Sequence, residues 1–549
     1  MEIEVKLITN SAAFGWDDTT SSLLGNSSLD QRFLWPLWLQ AASHPLIKLY
    51  TSAEVESIEG EKGDFKIGVM QRPRYVHEQL CTSCGRCQVE CSAKITSLLR
   101  GQRITHSAIH TPLLGAKAVP STYVIDKNGF APCQVACPLG INVQGFVSLL
   151  ANGKTDKALT LINEAAPLSG ILGRVCTHPC EDNCNRAQID GPVYIRALHR
   201  YAADNATKGI KYSRNFPARS REGKIAIIGS GPAGLTAAWE LTRRGYSPVV
   251  FESHGVIGGM LATGIPRFRL HREVREREIE AIANMGVDIR TGITVGQDVA
   301  FAYLKERGYR AFFLAIGAQR NNKLNVPGEE LEGVVDCMSL LLTLNLKVDT
   351  FVGPNVVVIG DGNTAIDSAR AANRRNEGTV KVLSWTIPEE ITAAKEEVEE
   401  ALQERVSIKY RTVPVEILGN GGRVTGVRCQ RTRLTEEVMA NGRHRPEPIP
   451  GTDFVIDADH VVVATGQSPN ASQLDMEGLA IDSNTGVIQA NPLTLETSIP
   501  GVFAGGDCVT GPNNVVEAMA AGLRAAESID SYMQGRALKV GRSLEPPET

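Results

Sequence analysis

Apolar positions recur along this chain in three spacings, and each spacing predicts a different kind of element. Residues 46–70, "LIKLYTSAEVESIEGEKGDFKIGVM", read as two strands joined by a turn that contains glycine. Residues 141–165, "INVQGFVSLLANGKTDKALTLINEA", place Ile141, Val143, Phe146, Leu149 and Leu150 near helical spacing, which predicts amphipathic helix. From Lys224 the text becomes short apolar strands that run into glycine turns and then helices, the rhythm of a doubly wound α/β fold. This rhythm starts twice. The second start, at Val356, lies inside the first unit, because text resembling the closing part of the first returns only after Asp459. The pattern predicts a mixed accessory segment at 1–75 and a helical domain at 76–218. A Rossmann-like domain follows in two pieces, 219–350 and 459–535, with a second one inserted at 351–458 and a tail at 536–549.

Composition narrows the class. A chain of 549 residues, 42% hydrophobic and 21% charged, has room for about three domains with their own cores. No apolar run reaches the eighteen or so residues of a membrane span, so no membrane association is expected. The opening "MEIEVKLITN" lacks the basic-then-apolar pattern of a secretory signal, which makes a cytoplasmic location the expectation. A net charge of -4 with no basic stripe argues against a nucleic-acid partner.

The cysteines change the picture more. Nine of the twelve are Cys81, Cys84, Cys87, Cys91, Cys133, Cys137, Cys176, Cys180 and Cys184. In a reducing compartment such crowding points to metal ligation rather than to disulfides. Cys337, Cys429 and Cys508 are scattered singly and read as buried thiols. "CTSCGRCQVEC" has the C-x2-C-x2-C-x3-C spacing of a bacterial ferredoxin, in which three close thiolates wrap one iron–sulfur cluster. Zinc is the plainer alternative, but zinc sites typically use two separated pairs. The 76–218 domain is therefore expected to carry iron–sulfur clusters, and nine thiolates suit two four-iron clusters with one ligand to spare.

Two glycine loops supply the second kind of chemistry. "KIAIIGSGPAGLTAAWELTRRGYSPVVFE" is a strand, a turn, a helix, a strand and a terminal acid. Gly229, Gly231 and Gly234 permit the tight turn, close backbone approach and helix packing; Pro232 and Ala233 begin the helix, and Glu252 is placed for an adenosine ribose. "NVVVIGDGNTAIDSARAANRR" repeats the device with Gly360, Gly362, Asn363, Thr364 and Ala365. Two such loops imply two nucleotides, most simply a bound FAD at the first and a diffusing NAD(P)H at the second.

Further stretches resemble those of FAD-dependent pyridine-nucleotide reductases. "TSIPGVFAGGDCVTGPNNVVEAMAAG" offers Gly505, Gly506 and Asp507 before a helix that starts near Val515, where the resemblance implies contact with the flavin ribityl and phosphate. "LAIGA", with Gly317, and "VVVATGQ", with Thr465 and Gly466, resemble the crossings between the two domains. Many such flavoproteins carry a redox-active cysteine pair after the acid, but "ESHGVIGGMLATGIPRFRL" has none, and the lone Cys508 cannot form an internal disulfide. That stretch instead resembles the glutamate synthase small-subunit family through Gly258, Gly259, Leu261, Gly264, Ile265, Pro266, Phe268, Arg269 and Leu270. "APCQVACPLGINVQGF" and "GRVCTHPCEDNCNR" extend the resemblance over about residues 130–535, and it implies that these cysteines hold 4Fe-4S clusters relaying electrons to a partner.

Three departures matter. The family usually has two more cysteines shortly before the equivalent of Cys133, and this chain has none between Cys91 and Cys133, so "CTSCGRCQVEC" is the expected completion of the set. His199 lies about where relatives place a non-cysteine ligand, although a surface histidine is the commoner case. Where relatives carry Tyr-Arg-Arg to pair with the 2′-phosphate of NADP, this chain has Ser384, Trp385 and Thr386, so NADH is expected over NADPH.

The text before the cysteine run resembles a fragment of the heterodisulfide reductase A subunit. Fused to a glutamate-synthase-small-subunit-like core, it resembles the iron–sulfur flavoproteins associated with dissimilatory sulfite reductase and related electron-input proteins of anaerobic aromatic degradation, and the absent Tyr-Arg-Arg favours the former. The expectation is an FAD-dependent NAD(P)H:acceptor oxidoreductase in sulfur metabolism. Its expected partners are NAD(P)H and a protein donor or acceptor such as a sulfite reductase, with a homodimer admitted. The rivals are an electron-input subunit of a glutamate synthase or bifurcating transhydrogenase complex, and a non-catalytic redox sensor or scaffold. The flavin carries the hydride chemistry, so no acid–base residue is required.

Overall fold

The computed structural model describes residues 4–9, 13–15, 31–61, 64–71, 73–91, 94–99, 102–112, 118–126, 130–207, 212, 221–346, 353–439 and 443–539. The chain divides into two compact units, one ending at Phe130 and the other starting at Ala131.

The first unit is built of small two-stranded sheets. Val5–Ile8 runs parallel to Ile47–Tyr50. Ala53–Glu61 and Asp64–Gln71 form the expected antiparallel pair, its turn residues 62–63 lying outside the described residues. Lys94–Leu99 pairs with Gln102–Ser107, and Ile109–His110 with Val124–Ile125. The expectation of a helical domain starting at 76 does not hold for this stretch, where the described helix is the five-residue Arg86–Glu90. The reason is local: Ile95, Thr96, Ile104, Thr105 and Ile109 are β-branched, and such side chains fit a pleated surface better than a helix.

The second unit opens with the helices Val143–Ala151, Thr155–Ala165, Ser169–Val175 and Ile195–Asn205. Ile141, Val143 and Phe146 are buried there as their spacing predicts, and Leu149 and Leu150 are partly buried against the same core. Two five-stranded parallel sheets follow. The first has the order Asp288–Thr291, Pro248–Glu252, Lys224–Ile228, Tyr309–Leu314, Val502–Ala504. The second has the order Val334–Asp336, His460–Val463, Asn355–Ile359, Thr379–Leu383, Ser407–Lys409. The chain leaves the first sheet after Leu314, completes the second, and returns at Val502, so two Rossmann-like domains are interleaved. The crossings lie side by side, Arg320–Asn321 antiparallel to Gln467–Ser468. An antiparallel layer, Thr412–Asn420, Arg423–Val438, His444–Pro448 and Phe454–Asp457, rises from the inserted domain.

A buried carboxylate ties the helical bundle to the first Rossmann-like domain. Glu278 accepts the backbone N–H groups of Gly170 and Ile171 at 2.5 and 2.9 Å, at the start of the Ser169–Val175 helix. Burial raises its carboxyl to about 7, although the two N–H groups pull the other way. Glu278→Ala leaves two buried donors without partners, and the expected loss is about 3 kcal/mol, read as a lower Tm.

Candidate functional site

The Lys224–Ile228 strand runs into a turn whose glycines do different work. Gly229 has φ +107, and a Cβ there would sit 2.3 Å from the Ala315 carbonyl oxygen. At Gly234 a Cβ would sit 2.0 Å from the Gly229 oxygen, so the helix packs on the turn only without a side chain. Gly231 is ordinary in conformation, φ -67 and ψ -179, and a Cβ there would meet nothing within 4 Å. That open space lies before the N-terminus of the Pro232–Arg243 helix, where free N–H groups and the dipole favour a phosphate. Glu252 is buried, its carboxylate accepting from the Ser230 N–H at 2.9 Å, the Ser230 hydroxyl at 2.5 Å and the His254 N–H at 2.9 Å. Gly506, at φ +75, turns the chain into the Asp507–Thr510 helix, and burial raises the Asp507 carboxyl to about 6.

A cavity of about 860 Å³ gathers these parts. Gly229, Gly231, Pro232, Ala233, Glu252, Gly259, Arg269, Gly317, Gly506, Asp507 and Val515 line it, and so do Asn363 and Thr364 of the inserted domain. Gly234 and Leu261 stand behind the wall, buried. Gly360, Gly362, Ala365, Thr465 and Gly466 are outside the lining. Gly360 repeats the geometry of Gly229: φ is +132, and a Cβ would sit 2.2 Å from the Ala464 oxygen. Thr465 and Gly466 join the crossings, the Thr465 hydroxyl donating to Asn322 O at 3.0 Å and the Asn322 N–H to Gly466 O at 3.0 Å.

Arg269 reaches the cavity, but its guanidinium is held by Asp367 at 2.6 Å and Glu397 at 2.9 Å, both in the inserted domain. Glu397 also pairs with Arg370 at 2.5 Å, and Arg370 and Arg374 lie over the Phe268 ring at 4.7 and 4.2 Å. From the helical bundle, Arg196 pairs with Glu396 at 2.5 Å and His178 lies 3.7 Å from the same carboxylate. The Lys395–Gln403 helix thereby ties down both neighbours. Sequence reading missed Asp367, Glu396, Glu397 and Gln467 as cavity residues. The signal for Asp367 was present: an acid on the buried face of "NTAIDSARAAN" needs a cation.

Cys133, Cys137, Cys176, Cys180 and Cys184 converge in the helical bundle. Burial raises the Cys176 thiol to about 11 and the Cys180 thiol to about 12. The Cys180 thiol is also raised by Cys137, Cys176 and Cys133 beside it, and the Cys133 thiol by burial, Cys184 and Cys137. Mutually close thiols, Cys180 buried and the others half-buried, are a donor set that a metal cluster would deprotonate. Cys176 lines the cavity as well. His199 is buried against the Phe146 ring at 5.9 Å, so it is not a surface histidine, and burial lowers its imidazole to about 4.

In the first unit, Cys81, Cys84, Cys87 and Cys91 follow a chain bent by Ser83 at φ +55 and Gly85 at φ +84. The Tyr123 and Ser83 N–H groups lower the Cys81 thiol, and the Arg86 N–H and Thr82 hydroxyl lower Cys84. N–H groups aimed at sulfur are what a cluster's thiolates require. The three single cysteines, Cys337, Cys429 and Cys508, are buried.

Comparison with known proteins identifies the scaffold. The family model for pyridine nucleotide-disulphide oxidoreductases matches residues 223–522, more than half of the chain. The chain belongs to this family. A second model, dihydropyrimidine dehydrogenase domain II with a 4Fe-4S cluster, matches residues 127–210 of this oxidoreductase. The beta subunit of the NADP(+)-dependent formate dehydrogenase of Moorella thermoacetica is 38% identical over 474 residues, 82% of this chain and 65% of that one. The chain thus spans about two thirds of that relative's length. The glutamate synthase [NADPH] small chain of Halomonas elongata is 34% identical over 417 residues, 73% of this chain and 88% of its own. Mycobacterium tuberculosis FprA in complex with NADPH shares the fold at TM-score 0.50 and 20% identity, over 57% of this oxidoreductase and 85% of FprA.

Proposed function

We propose that the protein is an NAD(P)H:acceptor oxidoreductase that relays electrons between a nicotinamide, FAD and two 4Fe-4S clusters, to or from a partner protein. One observation carries the reading: the first glycine loop, the start of the inserted domain's Asn363–Asn373 helix, Gly506–Asp507 and Cys176 all line a single cavity. When bound, the flavin converts a two-electron hydride into single electrons and the clusters carry them onward. The chain's own residues do the rest. The Gly229–Gly234 turn and Glu252 would hold the FAD, Asn363 and Thr364, which line the same cavity, would meet the nicotinamide nucleotide, and the Arg269–Asp367 pair holds the two domains together.

The partner is a redox protein. Relatives are named as subunits, a formate dehydrogenase beta subunit and a glutamate synthase small chain among them, which supports a docked partner. The layout of a heterodisulfide-reductase-like fragment before this core supports a dissimilatory sulfite reductase as that partner. Anaerobic titration with NADH, followed by visible and paramagnetic resonance spectra, is the test. It should bleach the flavin and raise cluster signals in a protein that carries about eight irons. Flavin bleaching without any cluster signal, even after dithionite, removes the relay.

The second nucleotide is proposed to be NADH rather than NADPH. At the end of the Thr379–Leu383 strand stand Ser384 and Thr386, both buried, and Ser384 donates to Asp361 at 2.9 Å. Arg443 reaches the same carboxylate at 2.8 Å, so its charge is already matched by an acid. The formate dehydrogenase and glutamate synthase relatives are named for NADP(H), so the ratio of kcat/KM values decides. We expect NADH to be favoured at least about tenfold, the size of one lost phosphate–cation pair, and a preference for NADPH overturns the assignment.

A further inference from the structure

The first unit holds a group of ligand atoms that neither nucleotide binding nor the cysteine run uses. One ring nitrogen of His106, one of His110 and a carboxylate oxygen of Asp126 all lie within 4.8 Å of one another. The two imidazoles meet edge to face, with centroids 4.5 Å apart. Their placement follows from the strands. His106 and His110 flank the junction between Gln102–Ser107 and Ile109–His110, and the Ile109–His110 strand pairs with Val124–Ile125, so Asp126 emerges beside it. The Asp126 N–H donates to Ala108 O at 2.8 Å, which fixes that register.

The chemistry of each nitrogen is set by its neighbours. His110 Nδ1 lies 2.7 Å from Thr111 O and His106 Nδ1 lies 3.0 Å from Ser107 O. A carbonyl only accepts, so the proton sits on Nδ1 and the lone pair on Nε2. For His110 this is the arrangement that metal-ligating histidines take, one nitrogen donating to the backbone and the other turned toward the Asp126 carboxylate. His110 is buried, its Nε2 has no hydrogen-bond partner among the described residues, and the acid oxygen facing it, Asp126 Oδ2, is 3.6 Å away. That separation is long for a hydrogen bond and short enough for two ligands of one ion.

We propose that His106, His110 and Asp126 form a binding site for a divalent transition-metal ion, zinc being the best fit to two imidazoles and one carboxylate. Three protein ligands leave a fourth tetrahedral position for water. Ser107, next to His106, donates through its hydroxyl to Gln88 O at 3.0 Å, so the site lies beside the Arg86–Glu90 helix that carries Cys87. The plain alternative is a simple His110–Asp126 ion pair with no metal.

The test uses the full chain, purified anaerobically with flavin and clusters in place and equilibrated with micromolar zinc. Metal analysis should find about one zinc per chain, and zinc K-edge absorption should show a nitrogen and oxygen shell at about 2.0–2.1 Å without sulfur. Asp126→Asn, which keeps the shape, and His110→Ala should each weaken zinc binding at least about tenfold, with iron content and visible spectrum unchanged. If His110→Ala does not fold, Asp126→Asn decides. No zinc, zinc in a sulfur shell, or equal zinc in wild type and Asp126→Asn would each overturn the site.

Discussion

Cys176→Ala is expected to abolish one-electron traffic to a protein acceptor while leaving the flavin reducible by NAD(P)H. The Cys176 thiol is half-buried, raised to about 11, and lines the same cavity as the first glycine loop, so it stands at the boundary between the flavin space and the cysteine group. A cluster holding that thiolate would be the first stop for electrons leaving the flavin. Removing one of its ligands costs more than the ten- to hundredfold that loss of a supporting residue costs, so acceptor reduction should fall at least about 100-fold. Iron should drop by about four per chain. Flavin absorbance and its bleaching by NADH report that the remainder is intact. Iron and acceptor reduction both at wild-type levels would place the cluster on the other cysteines.

What could be read in advance was what is local. A strand, a glycine turn, a helix and a terminal acid occupy fewer than thirty consecutive residues, so the Lys224–Glu252 unit and its repeat from Asn355 could be recognised, and with them the interleaved fold. The strands of residues 94–125 were overlooked because the nearby cysteines and later helical text were extended over them, although β-branched residues mark them. Other features depend on approach in space. Arg269 was read as a cofactor residue, yet its pairing with Asp367 joins positions 98 apart, and no spacing rule announces such a contact. His199 shows the same limit. Its burial against Phe146 comes from helices packing together, which a count of residues from Cys184 does not reveal.

Gly231→Val and Gly362→Val should separate the two nucleotides. Gly231 is at φ -67 and Gly362 at φ -85, conformations any residue adopts, and among the described residues an added Cβ meets nothing within 4 Å at the first and only the Thr392 hydroxyl at 3.6 Å at the second. Neither valine strains the backbone, so each acts by filling the space that a pyrophosphate would take. By contrast, a side chain at Gly229 or Gly360 collides with a backbone oxygen, and loss of function there could not be told from misfolding. Gly231→Val is expected to yield folded protein without flavin absorbance and with NAD(P)H oxidation down at least about 1000-fold, since the group that accepts the hydride is gone. Gly362→Val should keep its flavin, still be bleached by dithionite, and fail to be bleached by NADH. The reverse result, flavin lost from Gly362→Val and kept in Gly231→Val, would exchange the two loops' assignments. Flavin kept in both would remove the turn before Pro232 as a pyrophosphate site.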